Sequence, residues 1–89
     1  MSKWGMDMFK NKMPNGINNL CGDHIRSLRL AASPKMSQRM LAERLQLLGI
    51  DLDKNAIQRI EAGKRFVTDI ELAAFAEVFD VSCDRLLNR

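Results

Sequence analysis

The chain reads as an all-α protein of five short helices, and three observations predict it. Apolar residues recur at helical spacing from residue 23 onward, each periodic run opens on a capping residue type, and no segment alternates with the two-residue period of a strand. Eighty-nine residues suit one small domain, and there is no internal repeat or low-complexity run.

Each element follows from local chemistry. Asp23 is expected to cap a first helix over residues 23–32 that buries Ile25, Leu28 and Ala32. Ser33-Pro34 ends it, because the residue before a proline avoids helical backbone. Ser37 caps a second helix with Leu41, Ala42, Leu45 and Leu48 inward, and Gly49 is its natural stop. Ile50-Asp51-Leu52 then lead to Asp53, the cap of a third helix that Gly63 closes. Thr68-Asp69-Ile70-Glu71 is a capping box opening a fourth helix with Leu72, Phe75, Ala76 and Phe79 inward. Ser82 caps a short fifth helix holding Leu86 and Leu87.

Residues 1–21 differ from the remainder, residues 22–89. They hold four of the six methionines, the single Trp and the basic Lys3, Lys10 and Lys12, with the breakers Pro14 and Gly16 inside and Gly22 just beyond. This stretch reads as an extended or loosely ordered arm. Trp4, Met8 and Phe9 offer it anchors on the folded domain, on a second subunit or on a partner protein.

Composition bounds the function. No segment approaches the roughly 18 uninterrupted apolar residues of a membrane span, and residues 1–7 lack the apolar stretch of a signal peptide. A cytoplasmic protein is therefore expected, with Cys21 and Cys83 as separate free thiols. Cys21, His24 and Cys83 are metal-ligand types, but three candidates without a fourth make a poor zinc set, so neither metal nor cofactor is expected. A single His, no glycine-rich phosphate loop and no clustered carboxylates leave nothing to assemble a nucleophile, base and orienting group, so no enzyme is expected. The formal charge is +3, distributed unevenly. Residues 1–68 hold twelve basic against six acidic side chains, and residues 69–89 hold two against five. A basic front and acidic rear suit a polyanion on one side.

The third helix carries the most specific chemistry. At about 100° per residue, Ala56, Ile57 and Ile60 fall on one side and Lys54, Asn55, Gln58 and Arg59 on another. All four of the latter donate hydrogen bonds, and their types are those that reach guanine and adenine edges in the major groove. The plainer reading of the same row is the solvated face of an amphipathic helix.

Ser37-Gln38 opening a helix, Leu41-Ala42-Glu43-Arg44-Leu45, Ile57-Gln58-Arg59-Ile60-Glu61-Ala62-Gly63-Lys64-Arg65 and Val81-Ser82-Cys83-Asp84-Arg85-Leu86-Leu87 occur in that order. Together they resemble the phage-repressor-type (Cro-like, Xre-like) helix-turn-helix family, over about Ile25 to Leu87. The resemblance implies a five-helix, lambda-repressor-like DNA-binding domain whose second and third helices form the helix-turn-helix. It also implies a homodimer on palindromic double-stranded DNA, acting as a repressor by promoter occlusion. By the same resemblance Lys54, Asn55 and Arg59 fall at base-reading positions, and Gln58 between them touches a base or a phosphate. Gln38 falls where the family bonds a phosphate, Lys64 and Arg65 fall in the loop that follows the backbone, and Arg29 and Glu61 form an orienting ion pair. The final helix, through Leu86 and Leu87, is the expected dimer contact. Two departures stand out: Gln46 to Asp51 lengthen a turn that is usually tight, and Asp80 replaces a glycine that often ends the fourth helix. The competing reading is a protein-interaction module, an antitoxin-like helical domain that binds a partner protein.

Overall fold

The computed structural model describes residues 18–87. Five helices follow in order: α1 (Gly22–Ala31), α2 (Gln38–Leu47), α3 (Lys54–Glu61), α4 (Asp69–Phe79) and α5 (Cys83–Leu87). No strand occurs among the described residues. Trp4, Met8 and Phe9, the expected anchors of the arm, lie outside them.

Three of the caps arise from the adjacent side chains. Ser37 Oγ accepts from the Met40 amide at 3.0 Å, and Asp53 Oδ1 accepts from the Ala56 amide at 2.8 Å. Thr68 and Glu71 complete the reciprocal capping box of α4. Each bond satisfies an amide that the first turn leaves without an intrahelical partner. The C-terminal ends of α2 and α3 share one closure. Gly49 and Gly63 take positive φ of 84° and 76°, which only glycine adopts freely. Ile50 N–H then reaches back to Leu45 C=O, and Lys64 N–H to Arg59 C=O. Asp80 performs the equivalent turn after α4 at φ 55°, where aspartate is better tolerated than most residues.

The start of α1 departs from the sequence reading. Asp23 is not its cap; the helix begins at Gly22, and Cys21 stands at the cap position without a side-chain bond. Asn19 Oδ1 instead accepts from the Gly22 amide at 2.8 Å. Beside the boundary drawn after residue 21, Cys21 is buried in the core and Asn18 and Asn19 bond to the end of α3 and the loop after it.

Ile25, Leu41, Leu45, Ile57, Ile60, Phe75 and Leu86 are fully buried and draw all five helices around one core. Burying side chains of this size stabilises by about 1.5–3 kcal/mol each. Leu48, expected inward on α2, is 39% exposed. The helix stops at Leu47, so helical periodicity no longer governs Leu48, and Leu52 beyond the turn fills the core instead.

Candidate nucleic-acid interface

The third helix presents two unlike faces. Ile57 and Ile60 have no exposed surface, while Lys54, Asn55, Gln58 and Arg59 are all exposed. The inner pair fixes the helix on the core, and the outer four are open to solvent.

Beside this row lies a polar cleft of about 580 Å³ between α1, the start of α2 and the start of α3. Arg26, Arg29, Ser37, Gln38, Arg39 and Lys54 line it, without a carboxylate among them. Arg26, Arg39 and Lys54 are exposed, so their charges face solvent. The N-terminus of α2, with its unpaired amides and positive dipole end, adds to the same field. Gln38 and Arg26 also border a smaller hollow of about 200 Å³ with Gln58, Glu61 and Ala62, which joins the cleft to the outer row of α3.

Arg29 and Glu61 come together beneath that surface. Arg29 Nε donates to Glu61 Oε2 at 2.7 Å and Nη2 donates to Oε1 at 2.9 Å, a bidentate pair. Both residues are buried. Hydrogen bonding to Glu61 raises the Arg29 pKa above its ordinary value, against the opposing effect of burial. Arg29 Nη1 also donates to the Met36 carbonyl at 3.0 Å, and Gln38 Nε2 donates to Glu61 Oε1 at 3.0 Å. One carboxylate thereby links α1, α2 and α3. Gln38, expected at a phosphate, is half-buried with one amide hydrogen on Glu61; its carbonyl and second N–H remain for a ligand.

The loop after α3 divides the two cations expected there. Lys64 is exposed. Arg65 is half-buried, and its guanidinium grips Glu71 at 2.9 and 3.2 Å and the Phe66 carbonyl at 2.9 Å. These bonds hold the loop to α4 and leave the Arg65 Nε–H and one Nη2 hydrogen without a partner among them. Burial alone would raise the Glu71 pKa, but hydrogen bonds from Arg65 and Thr68 and the Arg65 charge outweigh it and hold the carboxyl below its usual range. Leu86, expected at a dimer contact, lies in α5. Its side chain is fully buried in its own chain, which leaves Leu87, half-buried, at the surface of α5.

Asn18 and Asn19 were missed by sequence reasoning. Asn18 N–H donates to Gly63 C=O at 2.7 Å and its Nδ2 to Lys64 C=O at 3.1 Å. Asn19 Nδ2 donates to the carbonyls of Ile60 at 3.0 Å and Arg65 at 2.8 Å. They seal the C-terminal end of α3 and fix its following loop. Arg26 and Arg39 were also missed; their only signal was a basic type on the outer side of a helix.

Residues 21–88 match the family model of a helix-turn-helix domain, a span that includes all five helices. The chain belongs to this helix-turn-helix domain family. No curated protein and no solved structure matches the chain. Among the described residues no helix is long and apolar enough to cross a membrane.

Proposed function

We propose that the chain is a sequence-specific, double-stranded-DNA-binding transcriptional regulator of the phage-repressor (Cro-like, Xre-like) type, a repressor that occludes its promoter as a homodimer. The observation that carries this reading is the row Lys54, Asn55, Gln58 and Arg59, exposed on a helix whose opposite side is fully buried. Asn55 has the fork to pair with an adenine edge, Arg59 and Lys54 suit guanine, and Gln58 takes a base or a phosphate. Gln38 and the start of α2 hold one phosphate, flanked by Arg26 and Arg39, while Lys64 holds another beyond the far end of α3. The Arg29–Glu61 pair keeps α3 at a fixed angle to these backbone contacts.

Two such helices in successive major grooves lie about 34 Å apart, which calls for a two-fold dimer on a palindrome. Leu87, Asp84 and Arg85 on the outer side of α5 supply an apolar and oppositely charged patch that suits a self-complementary contact.

Salt dependence of binding tests the reading. Arg26, Arg39 and Lys64 are three exposed cations per subunit apart from the base-reading row. Neutralising about six phosphates per dimer gives a slope of log K against log salt of roughly −5. A monomer gives roughly −3, and an absence of duplex binding favours the protein-interaction module instead.

A further inference from the structure

An apolar cleft of about 530 Å³ opens near the loop after α3, bounded by residues 18–21, the start of α4 and the end of α5. Leu20, Cys21, Phe66, Val67, Leu72 and Leu87 supply its apolar lining. Leu20 and Phe66 are 44% and 47% exposed, so large apolar side chains stand in water at the rim. Contiguous apolar surface of this kind marks a contact site.

We propose that the chain's own residues 4–13 occupy this cleft, with Trp4, Met8 and Phe9 as the inserted side chains. Continuity supports it first. Asn18 lines the cleft, and Met13 lies five residues upstream, within a reach of about 17 Å. Pro14, Asn15 and Gly16 between them are turn-forming types that allow the chain to double back. A tethered segment also arrives at millimolar effective concentration, which a free partner rarely matches.

Charge agrees. Residues 1–17 carry Lys3, Lys10 and Lys12 against Asp7 alone. The cleft borders exposed Asp69 at the start of α4, in the acidic part of the chain. The proposal stands independently of what α3 reads.

Trp4 is the only tryptophan and the chain has no tyrosine, so intrinsic fluorescence of the full chain reports on this contact. The expected result is blue-shifted emission and weak acrylamide quenching, unchanged on dilution. Leu20→Ser and Phe66→Ser, at half-exposed positions, should shift emission to the red and raise quenching severalfold while far-UV circular dichroism stays constant. Fully solvated emission in the unaltered chain would overturn the proposal, as would indifference to both substitutions in variants that remain folded. A shift that disappears on dilution would also overturn it, by assigning the cleft to a second copy.

Discussion

Replacing Glu61 by Gln removes one charge and almost no volume from the centre of the interface. Glu61 accepts three side-chain bonds, two from Arg29 and one from Gln38. An amide oxygen replaces at most one of the carboxylate oxygens, and the new NH2 then confronts an Arg29 N–H, donor against donor. Arg29 is left as a buried cation without a counter-charge, holding the Met36 carbonyl and at most one bond to the amide oxygen. Breaking a buried pair in this way costs about 3–5 kcal/mol. A chain of this size has roughly 4–13 kcal/mol of total stability, so the loss is a large part of the whole. At 4–8 °C per kcal/mol, the melting temperature should fall by at least about 12 °C. Thermal unfolding followed by circular dichroism measures it. The double substitution Arg29→Met with Glu61→Leu removes both charges and should restore most of the stability. It should not restore DNA affinity, because Gln38 loses the acceptor that positions it. A fall below about 5 °C for Glu61→Gln would refute the reasoning, reducing the pair to the worth of a solvent-exposed bridge.

Gly22 meets the last turn of α3 so closely that an added Cβ would fall well inside contact distance of the Ile60 carbonyl oxygen. Gly22→Ala should therefore destabilise by about 1–3 kcal/mol and weaken DNA binding, both measurable on the purified variant. Cys21 is buried and Cys83 half-buried, so alkylation of the native chain should label Cys83 first and spare Cys21 until unfolding. Burial pushes the Cys21 thiol from its ordinary 9.0 up to about 11. Its contribution is complete below pH 9.0 and is lost as pH rises toward about 11, because the unfolded chain releases the proton first; Cys21→Ala should flatten this alkaline decline in denaturant titrations.

Much of the fold was legible because it rests on local chemistry. Ser37, Asp53, Thr68 and Ser82 cap their helices as read, since the cap and its amide lie three residues apart. Gly49 and Gly63 mark ends because a positive φ is a property of one residue. What escaped depends on distant partners. Asn18 and Asn19 sit in a stretch that reads as a loose arm, and their acceptors lie more than 40 positions away. Arg65 reads as a free cation until Glu71 is placed beside it, and Leu86 as a surface leucine until the five helices close on it. Of the row Lys54, Asn55, Gln58 and Arg59, periodicity supplied the outward direction alone, because spacing along one helix says nothing of what that helix faces.

The most direct measurement is the sequence preference of the unaltered chain beside that of Asn55→Ala and Arg59→Ala, each selected on random duplex DNA. The unaltered chain should enrich a palindrome, and each substitution should relax one base position per half-site by about 1–3 kcal/mol of discrimination while the domain stays folded. Folded variants that enrich the same palindrome with undiminished preference would contradict the reading role of α3.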